Sequence, residues 1–282
     1  MAVETSRSAP AMPPAAKGLE RKDSWWWSPL GFVALFSAFG LWVTFRAFEN
    51  AHYSTLVNAA ALFQGQGLDI PNYLSPLYSP TLDPHLIIAG WHVSPAIYIL
   101  IFPLSFRLTC YYYRKQIYRG YLADPVACAV PEPGPLANMR FKKYTGERAF
   151  PFIAMNFHRF AFYAAAVFIV LLWKDTIDAF FFQDANGHFH FGVHVGSLVF
   201  LINILLLTAY TFSCHSWRHL IGGSTDCYSC SVTSKTRYGM WTKISFLNEK
   251  HGLWAMLSLV SVALTDVYVF LATSGLIKGA WV

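Results

Sequence analysis

The chain has 282 residues, of which 55% are hydrophobic, 17% aromatic and only 13% charged, with a mean hydropathy of +0.38. A soluble domain carries about 25% charged residues, so this composition excludes disorder and argues against an ordinary cytosolic enzyme. The formal charge of +6 does not mark a nucleic-acid binder, because the Lys and Arg residues fall between long apolar blocks.

In chain order, residues 1–28 read as a flexible tail rich in Ala, Pro and Ser, ending in Trp25, Trp26 and Trp27 as an interfacial anchor. No small-residue cleavage site follows the first apolar block, so the start of the chain does not read as a cleaved signal peptide. Five apolar blocks follow, near 29–50, 86–108, 151–173, 191–213 and 252–275, each close to the roughly 20 residues that cross a hydrocarbon core. The expectation is an all-α integral membrane protein, a five-helix transmembrane bundle forming one anchor domain over 29–282. Residues 65–85 are rich in Pro and Tyr and predict an ordered cap on the outer face.

Basic residues set the orientation. The tail carries Arg7, Lys17, Arg21 and Lys22, and the loop after the second span carries Arg114, Lys115, Arg119, Arg140, Lys142, Lys143 and Arg148. The loop after the fourth span carries Arg218, Lys235, Arg237, Lys243 and Lys250, whereas 51–85 has no Lys or Arg and 174–190 has only Lys174. The positive-inside rule places the N-terminus and both basic loops in the cytoplasm and the C-terminus outside. These loops, about 40 and 35 residues, are long for simple connections, and their Tyr-rich content reads as a docking platform.

All five cysteines, Cys110, Cys128, Cys214, Cys227 and Cys230, map to the cytoplasmic side. None faces an oxidising compartment, so a disulfide framework is not expected. His158, His215, His219 and His251 map to the same side. His158 lies about 10 Å in from Pro151 at 1.5 Å per residue, and helical side chains lean toward their N-terminus. Cys110, Cys214, His158 and His215 can therefore converge at one shallow depth, with Cys227, Cys230 and His251 as further candidates and Cys128 last. A mixed Cys and His set suits a Rieske-type [2Fe–2S] cluster or zinc on ligand type alone. The spaced Cys-x-His boxes of soluble Rieske proteins are absent.

Arg159, beside His158, is a charge inside a span and reads as a donor to a quinone carbonyl, or as a snorkelling surface Arg. Nearer the outer face, Arg46, His92, His194 and Asp266 map to similar depth, with Arg46 and Asp266 a candidate ion pair. His92 and His194 could ligate a haem b, one from each of two helices, or be hydrogen-bonded within this polar layer.

The stretches RLTCYYYRKQIYRGYLADPVACAVPEP (107–133), KYTGERAFPFIAMNFHRF (143–160), CHSWRHLIGGSTDCYSC (214–230) and NEKHGLWAMLSLVSVALTDVYV (248–269) resemble the membrane-anchor subunit of actinobacterial succinate dehydrogenases. The likeness, to the five-helix anchor of the three-subunit mycobacterial type, covers nearly everything from residue 29 on. Ser216 to Leu220 also looks like the G-I-R-H-L box of other complex II anchors, but Leu205 to Phe212 lacks the upstream haem-ligand His of that pattern. The resemblance implies a plasma-membrane anchor that docks an iron–sulfur subunit and a flavoprotein subunit and reduces menaquinone. It further implies a Rieske-type [2Fe–2S] cluster as membrane carrier, with a higher oligomer of the three-subunit complex open. In that scheme a cluster His hydrogen-bonds the quinone, and Arg159 and His219 orient its head group.

Two alternatives stand beside this reading. One is a haem b anchor with the same partners. The other is a non-redox membrane protein, either a transporter or an assembly factor with structural zinc. No inverted repeat supports a transporter, and His158 lies deeper than a loop-stapling zinc ligand should.

Overall fold

The computed structural model describes residues 24, 26–58, 69–81, 87–88, 90–121, 152–184 and 186–277. The expected tail, Trp25, Cys128 and the basic residues from Arg140 to Arg148 lie outside the described residues. In chain order the helices are α1 (Trp27–Glu49), α2 (Thr55–Asn58), α3 (Pro95–Ile99), α4 (Ile101–Thr109), α5 (Tyr111–Gly120), α6 (His158–Asp178), α7 (Val195–Phe212), α8 (His215–Gly222), α9 (Val232–Glu249) and α10 (His251–Thr273). Short strands are β1 (Ile70–Pro71), β2 (Ile87–Ile88), β3 (Trp91–His92), β4 (Phe181–Gln183) and β5 (Phe189–Phe191).

Among the described residues, four helical segments are long and apolar enough to cross a membrane: α1, Ile153–Asp178, α7 and α10. Pro95–Thr109 with Tyr111–Gly120, bent by 76°, makes a fifth if the pair is one span. Within the membrane segments α10 packs on α7, α7 on α6, and α6 on α4. Leu41, Val167, Val170, Ile202 and Leu264 stay exposed on these helices, as lipid-facing side chains do.

The second span starts later than the sequence suggests. Ile87–Ile88 and Trp91–His92 pair as the antiparallel strands β2 and β3, with Gly90 at φ +80°, and helix begins only at Pro95. Pro95 holds Ser94 extended (φ −59°, ψ 134°) and opens the helix, since its missing N–H is no loss at that position. The α3–α4 break at Leu100 follows from Pro103, which cannot donate back to Ile99. His92 is therefore in a hairpin, and His194 precedes α7 as its cap, so neither expected haem ligand lies within a helix.

The described residues fall into two compact units, one of those up to 34 with 115–121 and one of those in 35–114 with 152–277. In the first, Tyr121 donates its hydroxyl to Val33 O at 3.2 Å. The second contains all the features below.

At the end of the bundle away from the cysteines, β1, β4 and β5 form an antiparallel sheet, with Pro71 opposite Phe182 and Phe181 opposite Phe191. Ile70, Tyr73, Ala179, Phe200, Val269 and Ala272 form a core cluster there, so the described part of the expected cap is ordered. Gly196 is required at this point, because any Cβ would strike the Tyr73 ring. The expected ion pair is present. Arg46 Nε lies 3.0 Å from Asp266 Oδ2 with both side chains fully buried, and Trp42 Nε1 donates to the same oxygen at 2.8 Å. Arg46 also caps the C-terminus of α1 by donating to Ala51 O and His52 O, at 2.9 and 3.0 Å.

The stretch after α7 is helical, not a loose loop. Arg237 of α9 donates to the carbonyls of Ile221 and Gly223 at the end of α8, and Arg218 lies over the Trp241 ring at 4.6 Å.

Candidate functional site

Four side chains at one end of the bundle meet because each sits at a helix boundary. Cys110 follows α4 in an extended conformation (φ −66°, ψ 131°), and Cys214 precedes α8 in another (φ −63°, ψ 143°). Both are buried. His158 and His251 are the first residues of α6 and α10, whose side chains lean back toward the helix start. Two helix ends thus present sulfur, and two helix starts present imidazole.

His158 Nε2 lies 3.0 Å from Cys214 Sγ, and His251 Nε2 lies 3.4 Å from Cys110 Sγ. The other ring nitrogens are held by hydroxyls: His158 Nδ1 by Thr109 Oγ1 at 2.9 Å, and His251 Nδ1 by Ser213 Oγ at 2.8 Å. Thr109 and Ser213 each directly precede a cysteine. Each hydroxyl–Cys dipeptide therefore grips one histidine by oxygen and the other by sulfur, closing a ring through all four helices. Phe106 stacks on His158 and Tyr210 on His251, with ring centroids 4.9 and 5.2 Å apart.

Burial pushes the Cys214 thiol up to about 11, opposed by the Ser216 N–H that donates to its sulfur at 3.4 Å. Such a thiol stays protonated until a cation displaces the proton, as metal ligation does. Among the described residues no three His, Cys, Asp or Glu side chains are placed to hold one ion. Two thiols and two imidazoles are the donor set of a Rieske-type [2Fe–2S] centre, which would take both sulfurs on one iron and both imidazoles on the other. Hydroxyls fixing the far nitrogen of each imidazole are also the support that metal-bound histidines need.

The remaining candidates lie elsewhere. His215 and His219, one turn apart on α8, are exposed and face each other with Nε2 atoms 2.9 Å apart. The His215 pKa is lowered, first by partial burial and then by His219 and Arg218. Arg159 is exposed. Cys227 and Cys230 correct the sequence reading, for they are bonded to each other as a disulfide rather than standing as reduced ligands. Their Cα atoms are 5.7 Å apart, a separation at which a disulfide forms without distortion.

Beside the ring of four is Arg107, which the sequence reading passed over. It is buried, donates to Ser258 Oγ at 3.1 Å, to Ala255 O and to the Tyr113 hydroxyl, and covers the Tyr210 ring at 4.7 Å. Its signal was in view as a charge within an apolar block. Thr109 and Ser213 had a signal too, since Thr-Cys and Ser-Cys each close an apolar block.

Comparison with known proteins now bears on this geometry. The family model for the actinobacterial succinate dehydrogenase subunit SdhC matches residues 27–275. The chain belongs to that family. The SdhC-family chain is similar to a chain of the solved Mycobacterium smegmatis Sdh1 complex in the apo form. The two are 37% identical, the match covers 92% of this chain and 91% of that one, and the TM-score is 0.73. No curated protein matches. This SdhC-type chain is accordingly a multi-pass membrane subunit of succinate dehydrogenase, within a multi-subunit assembly.

Proposed function

We propose that the chain anchors a succinate:quinone oxidoreductase in the plasma membrane, and that Cys110, Cys214, His158 and His251 hold a Rieske-type [2Fe–2S] cluster from which menaquinone is reduced. The observation that carries this reading is the closed ring of two thiols and two imidazoles, with both far nitrogens fixed by Thr109 and Ser213. The chemistry supplied by such a cluster is one-electron transfer, at a potential raised by the two His ligands.

The protein's own part follows from its residues. Phe106, Tyr210 and Tyr113 wall the ring with aromatic surface, which lowers the local dielectric and excludes water. The Ser216 N–H stabilises negative charge on the Cys214 sulfur. Thr109 and Ser213 hold the far imidazole nitrogens and so fix the orientation of both rings. The iron–sulfur and flavoprotein subunits would dock at this end, where α5 exposes Tyr111 under the Arg114 guanidinium. His215 and His219 lie on the same side as candidate head-group contacts.

The test is to separate this subunit from the assembled complex. Succinate oxidation by a soluble dye should persist in the remaining subunits, while succinate-driven quinone reduction disappears. Quinone reduction surviving without this chain would refute the reading.

A further inference from the structure

The α8–α9 connection carries a second pair of cysteines that the Cys/His ring does not use. Cys227 and Cys230 are bonded to each other across a sequence separation of 3, in the order Cys-Tyr-Ser-Cys. The positive-inside rule expects this connection in the cytoplasm, where a disulfide is as a rule transient and redox-sensing. A bond this local also constrains the unfolded chain little, because the stabilisation from a cross-link grows with the loop it closes. It suits a switch better than a staple.

The bond closes a loop that holds two helices together. Tyr228 sits inside it, donates its hydroxyl to Gly222 O at 2.9 Å, and packs against Trp241 and Tyr238 of α9, with ring centroids 6.5 and 5.1 Å away. Gly222 ends α8, and any Cβ there would strike the Trp241 ring. Ser231, directly after Cys230, caps α9 by accepting from Ser234 N at 3.1 Å. The loop thus joins the last turn of α8 to the first turn of α9. Cys214 caps the start of α8, so the loop holds the far end of the helix that begins at a candidate cluster ligand.

The two sulfurs are not equivalent. Cys230 is exposed and Cys227 half-buried, so an incoming thiolate meets Cys230 Sγ first and Cys227 is the leaving sulfur. Ser229 Oγ lies 3.5 Å from Cys227 Sγ, in place to donate to it as it departs. The N-terminus of α9, with no acidic residue in its first turn, favours an anion at Cys230 when that sulfur is released in turn.

We infer that Cys227 and Cys230 form a reversible dithiol–disulfide switch, reduced by a thioredoxin-type protein dithiol, whose oxidised form locks α8 onto α9. One thiolate of the reductant attacks Cys230 Sγ, the Cys227–Cys230 bond breaks, and Cys227 takes a proton from water. The second thiolate of the reductant then attacks the reductant's own sulfur in the mixed disulfide, releasing Cys230, which is protonated in the same way. Two electrons and two protons pass to the pair, and the reductant leaves as its disulfide. Tyr228 is then no longer held in a closed loop, and its grip on Gly222 loosens.

The test uses the whole assembled complex in lipid nanodiscs, treated with reduced thioredoxin and then with a maleimide. Cys227 and Cys230 should both take label after thioredoxin and neither before it, and diamide should restore the unlabelled state. Amide exchange over residues 219–231 should quicken about tenfold on reduction, while 257–270 in α10 stays unchanged. Cys227→Ser, which cannot form the bond, should exchange at the fast rate in every redox state. Tyr228→Ala should do so with the disulfide intact, which separates the clamp from the bond. A disulfide that thioredoxin leaves closed is a staple and overturns the switch. Thiols that label without reductant and that diamide does not join overturn it too, as does zinc released on labelling. Exchange over 219–231 that ignores the redox state overturns the lock on α8.

Discussion

Ser213 Oγ lies 2.8 Å from His251 Nδ1, although 38 residues separate them, and the residue after Ser213 is the cysteine that faces the other histidine. Thr109 and His158 repeat the relationship at 2.9 Å. The crossing means that neither Cys–His contact can shift alone, since moving one dipeptide disturbs both rings. That coupling is how a site built from four helix ends keeps its geometry.

Removing a hydroxyl should therefore weaken metal retention without removing a ligand. Thr109→Val keeps the side-chain volume but frees His158 Nδ1, and loss of such a supporting contact typically costs about 10–100-fold in metal affinity. Iron and acid-labile sulfide, measured against complex concentration during chelator challenge, should fall faster than in wild type. Unchanged retention would remove Thr109 from the site.

The cysteines should divide cleanly. Cys110→Ser and Cys214→Ser should each lose the cluster signal, while the Cys227→Ser, Cys230→Ser double variant should retain it, because those sulfurs bond to each other. A lost signal in the double variant would return that pair to the ligand set.

Asp266→Ala should be among the most destabilising single changes away from the site. It leaves the fully buried Arg46 guanidinium with Glu49 as its remaining carboxylate partner, so the loss should fall below the about 3–5 kcal/mol of an uncompensated buried charge. The thermal midpoint of the purified complex should drop, and Arg46→Met with Asp266→Leu should recover much of it. A midpoint unmoved by Asp266→Ala would show that the pair does not hold α1 to α10.

The β4–β5 turn carries a pH-dependent contribution. Asp184 accepts backbone N–H bonds from Asn186 and His188 at 2.9 and 2.8 Å, and these hold its carboxyl below its ordinary range. A depressed carboxylate stabilises the fold above its unfolded pKa of about 3.9, and that contribution is lost as pH falls through the lower folded value. The stability difference between wild type and Asp184→Ala should be present at pH 6 and vanish toward pH 3. A difference independent of pH would assign the effect to the turn's shape instead.

Much of this was legible before any coordinates. Apolar block length located α1, α7 and α10 to within about four residues and the segment Ile153–Asp178 to within about five, because the hydrocarbon core fixes length more strictly than any soluble environment does. Asp266 inside a span pointed to its partner Arg46 for the same reason. Four of the seven metal candidates meet, namely Cys110, Cys214, His158 and His251. His215 adjoins Cys214 but is exposed on α8, where it faces His219. His92 was misplaced because hydropathy does not distinguish a β-hairpin from a helix, and only Gly90 and Pro95 mark the change. Arg107 was passed over although it stands as a charge inside an apolar block.

The central claim is the four-residue ring as an electron carrier, and EPR of the dithionite-reduced complex alongside its optical spectrum tests it most directly. The account predicts a Rieske-type signal without a haem Soret band, abolished in His158→Ala and His251→Ala and retained in His215→Ala. A haem b spectrum with no such signal, or a signal indifferent to His158 and His251, would contradict it.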